Sequence, residues 1–247
     1  MLPLRHPSRL FCILFSLFLW AVNCNAQGAN KTFEGKSYSI YRVDLIHQKL
    51  ELLTTDDNGK RLRNPADLKT LGAKRAKQLI FATNSGIFDR TFSPLGLHIE
   101  QGRRLVPLNT NNGEGNFFMK PNGVFLIKGT KASIVDANLF DRNSPADYAA
   151  QSGPLLLLAG SINHSFNLNS NNRLLRSGVG VRGDSEAIFA ISNHPVTFHE
   201  FARFFRDELG CGSALYLDGV ISVMYAPDID REQVSGNFAA MFAVFDD

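Results

Sequence analysis

A chain of 247 residues, 44% hydrophobic and 20% charged, has enough apolar material for one large folded domain or two small ones. That balance excludes a disordered polymer and a collagen-like repeat. The formal net charge of +3 is too small, and too evenly spread, to predict a nucleic-acid surface.

The first 26 residues predict a secretory signal peptide. Arg5, His6 and Arg9 form a basic start, Leu10 to Val22 is apolar apart from Ser16, and Cys24 and Ala26 supply small residues before a cut between Ala26 and Gln27. The apolar segment is short for a membrane span, so no stable span is expected after its removal. Loss of Arg5 and Arg9 takes the 26 basic residues to 24 against 23 acidic, a net charge of +1. Cys12 and Cys24 leave as well. Cys211 remains alone, so the expected working domain, residues 27–247, has no internal disulfide and must rest on its core. A single-cysteine exported chain fits a periplasmic or secreted bacterial protein.

Tyr38 to Leu45 and Lys49 to Thr54 predict a hairpin turning at His47-Gln48. Asn64-Pro65 opens a helix, an N-cap residue followed by a first-turn proline, with Leu68 and Leu71 on its inner face. Leu79 to Thr83 is an apolar strand that runs into the corner Asn84-Ser85-Gly86-Ile87-Phe88. Leu95 to Leu108, turning at Gln101-Gly102, and Asn116 to Ile127, turning at Lys120 to Gly123, predict two more hairpins. Lys131 to Asp136 adds a strand, Asn138 to Ala149 a polar link, and Leu155 to Leu158 a buried strand. Asn163 to Asn172, rich in Asn and Ser, is a loop.

Ser177 to Val181 and Ala187 to Ile191 are strands. Thr197 with Glu200 is a capping box, and Phe198, Phe201, Ala202, Phe205 and Leu209 share one face of the helix it opens, which Gly210 ends. Ala214 to Tyr225 is an apolar run interrupted at Asp218-Gly219, and Ala239 to Phe245 is a last strand. The expected fold class is α+β: a mixed, largely antiparallel sheet system with a few packed helices in a single domain.

Four corners could carry chemistry. Asn84 with Gly86 either meets a ligand or makes its own turn. Ser152-Gly153 before Pro154 offers a hydroxyl and N–H groups to an anion, or merely starts a strand. Arg173 and Arg176, beside Ser177-Gly178-Val179-Gly180, suit bidentate oxyanion binding but also suit a solvated surface. Asp218-Gly219 reads first as a two-residue hairpin turn and second as a carboxylate at a strand end facing a cleft. The six histidines show no His-x-x-x-His spacing, and neither a serine elbow nor a phosphate loop is present. No metal and no cofactor are expected.

Taken in order, the four corners resemble the phosphodiester glycosidase family, over roughly Leu79 to Phe245. Asn116 to Gly123 and Phe201 to Phe205 are similar to its exported bacterial branch. The resemblance implies cleavage of a sugar-1-phosphodiester at the anomeric carbon, with release of the sugar and a phosphomonoester. It implies that Asp218 stabilises the oxocarbenium-like centre or activates water, that Arg176 holds the phosphate, and that Asn84 orients the substrate. Gly86, Ser152, Gly153, Gly219, Ser222 and Asn116 are then the expected substrate-binding set, with Glu114 or Asp184 as a possible second carboxylate. The sequence departs from the family pattern at Ser85, Val220 and Ile221, where its eukaryotic members carry glycine. Two other readings stay open: a periplasmic glycan-binding module without turnover, and a hydrolase of cell-envelope phosphodiesters.

Overall fold

The structure, a computed structural model, describes residues 27–219 and 221–246. The leader with Cys12 and Cys24, and the substitution at Val220, lie outside the described residues.

Two strands, β1 (Gly28–Phe33) and β2 (Lys36–Asp44), open the chain, and β3 (Leu50–Leu53) follows. The polar lead before Tyr38 therefore forms an edge strand that the sequence did not announce. Helix α1 (Pro65–Lys74) begins at Asn64, whose side chain accepts from the Asp67 N–H, and it buries Leu68 and Leu71. Then come β4 (Leu79–Asn84), β5 (His98–Glu100), β6 (Arg103–Val106), β7 (Gly123–Lys128), β8 (Lys131–Asp136) and β9 (Tyr148–Ser152). Strands β10 (Leu155–Leu158), β11 (Ser161–Ile162), β12 (Ser177–Arg182) and β13 (Glu186–Ser192) lead to α2 (Phe198–Arg203). The last four are β14 (Ser213–Asp218), β15 (Met224–Ala226), β16 (Arg231–Glu232) and β17 (Met241–Phe245).

They form three antiparallel sheets, in the orders β1-β2-β13-β12-β14-β10-β11, β16-β15-β4-β17-β3 and β6-β5-β9-β7-β8. The α+β expectation holds. One cluster, including Phe81, Phe125, Phe189, Leu217 and Phe242, fills the space where the sheets meet. A second lies on the outer face of the seven-stranded sheet, where Tyr38, Ile188, Ala190 and Tyr216 pack on the phenylalanines of α2. Helix α2 keeps its capping box and runs on through a π-helical turn at Phe204–Glu208. That extra residue per turn buries Phe204 and Phe205 together. The close approach of this helix also accounts for the glycines of β12: a Cβ on Gly180 would lie 2.6 Å from both Cys211 Sγ and a Phe205 ring carbon. Cys211 is buried there, and burial pushes its thiol pKa up to about 12, so it is an inert packing group.

Three expected pairings are corrected. β2 and β3 are not a hairpin: β2 pairs with β1 and β13 in one sheet, and β3 with β17 in another, so His47-Gln48 lies on a crossover. Asn116–Phe118 is a 3-10 turn, not a strand, and β7 pairs with β8 and β9 instead. Asp218-Gly219 is not a hairpin turn either. β14 ends at Asp218, and after Gly219 the chain crosses to β15 in the second sheet, where it pairs with β4 and β16. Apolar runs on both sides of Asp-Gly are shared by a hairpin and a crossover between packed sheets, and only the distant partner strands decide between them.

Candidate active site

Four strand ends converge at one pole. β4 ends at Asn84, β9 at Ser152 and β14 at Asp218, while β12 begins there at Ser177. Ser177 pairs with Asp218 across a bulge, the register shifting before Gly178 meets Tyr216. The bulge re-aims the end of β14, a common device near functional sites.

The Ser177 hydroxyl is the hub. Asn84 Nδ2 donates to it at 3.1 Å, Ser222 Oγ lies 3.0 Å away and the Asp218 N–H 3.2 Å, and it faces the Asp218 carbonyl at 3.1 Å. Asn84 Oδ1 accepts from the Val223 N–H at 3.1 Å, and Thr83 Oγ1 donates to the Val223 carbonyl at 2.7 Å. The buried Asn84 amide thus fastens the crossover after Asp218 to the end of β4, and all its donors and acceptors are used inside the protein. Ser222 Oγ also reaches the Gly219 carbonyl at 2.5 Å, closing the turn on itself.

The Asp218 carboxylate is partly shielded. Burial lifts its pKa from the ordinary carboxylate value to about 6, against the opposing effect of the Gly219 N–H bonded to Oδ1 at 2.6 Å. Oδ2 has no hydrogen bond among the described residues, so one oxygen is held and the other is free. A Cβ on Gly219 would stand 2.6 Å from the Tyr216 hydroxyl, so only glycine lets the carboxylate turn sit against that ring.

Ser152 closes another wall. Its Oγ donates to the Leu217 carbonyl at 3.0 Å and lies 3.4 Å from the Ile87 N–H. Gly86 packs on it so closely that a Cβ would meet the Gln151 carbonyl at 2.6 Å. Gly153 lies against Asn122 and the Phe117 carbonyl. Asn116 Nδ2 reaches the Tyr216 hydroxyl at 3.4 Å, which places the 3-10 turn over the same pole.

Arg176 stands behind this wall. Its guanidinium is fully buried and stacks 3.7 Å from the Phe198 ring centroid and 5.8 Å from that of Tyr216. Nε donates to the Val196 carbonyl at 2.8 Å and Nη2 to the Asn172 carbonyl at 3.0 Å, whereas Nη1 reaches no carbonyl and the Tyr216 side chain interacts with the guanidinium. Burial lowers its pKa, and no carboxylate forms an ion pair with it among the described residues. Arg173 has a different fate, since it is bound at 2.6 Å by Glu200. Burial would raise the Glu200 pKa, yet Arg173, the Thr197 N–H and Lys36 outweigh it and hold the carboxyl at about 2.

The structure therefore brings Asp218, Gly219, Asn84, Ser222, Ser152, Gly86 and Asn116 to one pole, with Gly153 at its edge and Arg176 behind Tyr216. Asp184 is not there. It pairs with Lys131 at 2.9 Å, beyond the far end of β12. Glu114 stays on the exposed loop that precedes Asn116. Ile221 is 51% exposed, so this departure from glycine is not wedged into the site. Two contributors were missed in the sequence. Tyr216 had only its place in the apolar run before Asp218 as a signal, because the bulge between them breaks the strand alternation. Ser177 had only its place beside Arg176 as a signal. No group of three or more His, Cys, Asp or Glu able to hold a metal occurs among the described residues.

The phosphodiester glycosidase family model matches residues 77–241, a span that includes all of these side chains. The chain is 40% identical over 160 residues to YigE of Escherichia coli (strain K12), an uncharacterised protein; the match spans 65% of this chain and 61% of that relative's length. Among solved structures, the catalytic domain of zebrafish N-acetylglucosamine-1-phosphodiester alpha-N-acetylglucosaminidase, auto-inhibited by its pro-peptide, superposes with a TM-score of 0.60 at 15% identity, covering 89% of this chain and 82% of that one. A Burkholderia pseudomallei K96243 protein described as exported superposes with a TM-score of 0.54 at 11% identity, covering 85% and 74%. At such identities the likeness is one of fold. The family model, which spans most of the chain and every corner of the pole, makes this chain a member of the phosphodiester glycosidase family.

Proposed function

We propose that this chain is exported through its leader, residues 1–26, and that residues 27–247 hydrolyse a sugar-1-phosphodiester at the anomeric carbon in the periplasm or outside the cell. The bond between the anomeric carbon and the phosphate oxygen breaks, its electron pair leaves with the phosphate, and water adds to the carbon. The products are the free sugar and a phosphomonoester. A phosphomonoester, with a second pKa near 6, is a far better leaving group than a sugar alcohol, so the step demands little proton donation. What it demands is stabilisation of a cationic carbon.

The observation that carries this reading is the Asp218 carboxylate, at a strand end, with one oxygen held by Gly219 and the other free. Ionised, it faces the oxocarbenium-like carbon or takes a proton from the attacking water. Gly86, Ser152, Gly153 and Asn116 frame the sugar, Ser222 and the Gly219 turn frame the phosphate, and Asn84 fixes the turn. Among the described residues no helix is long and apolar enough to cross a membrane.

The pH–rate profile tests the role of Asp218. With its pKa at about 6, kcat/KM on a chromogenic sugar-1-phosphodiester is expected to rise through pH 6 and level off above it. A bound diester is itself an anion and holds the carboxylate protonated to higher pH, so the limb in kcat lies above the limb in kcat/KM. A rate that falls through pH 6 would make Asp218 a proton donor instead.

Of the Arg176 donors only Nη1 is not held by a backbone carbonyl, and the Tyr216 side chain is its neighbour, so a phosphate would reach it beside that ring. Arg176→Lys keeps the charge but cannot replace both backbone contacts and still present that donor. We expect kcat/KM on the diester to fall about a hundredfold, with a smaller loss on an uncharged glycoside of the same sugar. Equal losses on both would remove the phosphate contact.

The full burial of Arg176 favours one competing reading, glycan binding without turnover. Saturable binding of a sugar-1-phosphodiester with no sugar released would establish that reading in place of hydrolysis.

A further inference from the structure

Directly paired residues of antiparallel strands share a face of their sheet. At the site pole the register of the seven-stranded sheet sets Asn30 opposite Ser39, Ser39 opposite Ile191, Ile191 opposite Ser177, and Ser177 opposite Asp218. One row thus crosses five strands, with polar side chains on both sides of Ile191. The Ser177 end holds Asn84 of the second sheet. The Ser39 end holds Arg231, which belongs to the edge strand β16 of that same second sheet.

Arg231 Nη1 donates to Ser39 Oγ at 3.1 Å and to Asn193 Oδ1 at 2.8 Å. Ser39 Oγ in turn donates to Asn30 Oδ1 at 2.8 Å, and Asn193 Nδ2 donates back to Ser39 Oγ at 3.2 Å. These amides and hydroxyls fix the guanidinium by one nitrogen. Nε is shielded and has no hydrogen-bond partner, and Nη2 makes no hydrogen bond among the described residues. No carboxylate forms an ion pair with Arg231 among the described residues, whereas Arg75, Arg173, Arg182, Arg203 and Arg206 each have one. Charges taken out of water are ordinarily paired. Arg231 is instead held in place with Nε shielded and unpaired and Nη2 without a hydrogen bond among the described residues, and these two nitrogens form the edge a guanidinium uses for bidentate contact with an oxyanion.

We propose that the Nε/Nη2 edge of Arg231 is a second anion-binding subsite, one that takes a phosphate or carboxylate group carried elsewhere on the substrate. Two strand spacings, about 10 Å, separate Ser39 from Ser177. A third spacing, to about 14 Å, reaches Asp218, so a second anionic group at Arg231 would lie beyond the sugar rather than on it. The subsite's place on the substrate rests on the proposed function; its capacity to bind an oxyanion does not.

The first test uses the processed chain and inorganic phosphate. The Arg231 Nε–H resonance, assigned by its loss in Arg231→Gln, is expected to shift saturably on addition of phosphate. Acetate in a parallel titration reports whether a carboxylate is accepted as well. A resonance unmoved by phosphate at tens of millimolar overturns the proposal and leaves Arg231 as a tie between sheets. Should Arg231→Gln fail to fold, Arg231→Lys, which keeps the charge but lacks the edge, serves for assignment. The second test compares two sugar-1-phosphodiesters, one with a further anionic group and one without. Arg231→Lys is expected to raise KM about tenfold for the first alone, with kcat unchanged. Equal effects on both overturn the subsite's role in selectivity. If neither diester is turned over, the proposed hydrolysis falls, and the phosphate titration still decides whether the subsite exists.

Discussion

Asp218→Asn is expected to abolish turnover and yet make the protein more stable above pH 6. The sign follows from the carboxylate's surroundings. Its folded pKa of about 6 lies above the unfolded value near 3.8. Well below pH 3.8 the group is protonated in both states and costs nothing. Between about pH 4 and pH 6 the unfolded chain gives up this proton while the folded protein keeps it, so stability is lost across that window and the loss levels off above 6. A shift of about two units corresponds to roughly 3 kcal/mol at most, and water reaching the free oxygen reduces that figure. Asparagine keeps the oxygen that accepts the Gly219 N–H and removes the charge. We therefore expect the melting temperature of Asp218→Asn to match the parent well below pH 4 and to exceed it by several degrees at pH 8, since 1 kcal/mol is worth about 2–4 °C in a chain of this size. Activity on a sugar-1-phosphodiester should fall about a thousandfold or more. A variant that is inactive but less stable at pH 8 would make Asp218 a structural residue. One that is stable and fully active would remove it from the chemistry.

Such a residue is hard to read from sequence, and the reasons are physical. Thr197 with Glu200 and Asn64 with Pro65 act within one helical turn, so the local chain sufficed to place both helices. Strand alternation also placed most strands. It could not choose their partners, because the same run suits a hairpin or a crossover: His47-Gln48 and Asp218-Gly219 both join different sheets. The phenylalanines of Asn116–Phe118 looked like strand material, but Phe117 is buried by a 3-10 turn. Arg176 was legible as an oxyanion candidate. Its burial was not, since Phe198 and Tyr216, the two rings it packs against, are 22 and 40 positions away. Asp184 was the opposite case, a plausible second carboxylate that the strand direction carries to the far pole. The order of the four corners conveyed more than any one of them, because strand ends that meet at one pole return at intervals along the chain.

Asn84 decides whether that pole is a built frame or only a set of substrate contacts. Its Oδ1 satisfies the Val223 N–H and its Nδ2 the Ser177 hydroxyl, all buried. Asn84→Ala leaves the Val223 N–H without a partner and frees the crossover that follows Asp218. The expected cost is about 2–4 kcal/mol, from one unsatisfied buried donor and the lost hydrogen bonds. It should show as a lower midpoint in urea with an unchanged slope. Activity should fall as well, because the turn that aims Asp218 is no longer fastened. That result alone would not separate support from chemistry; Asn84→Asp does. The carboxylate is nearly the same shape and can still accept from Val223, but ionised it cannot donate to Ser177, and it adds a negative charge at the pole. Like charges in a shielded site oppose one another's ionisation. The ascending limb of kcat/KM, expected at pH 6 in the parent, should therefore move to higher pH, with a plateau still reached at alkaline pH. A limb that stays in place would mean that Asn84 and Asp218 do not share an electrostatic environment, and the pole would then be two separate sites.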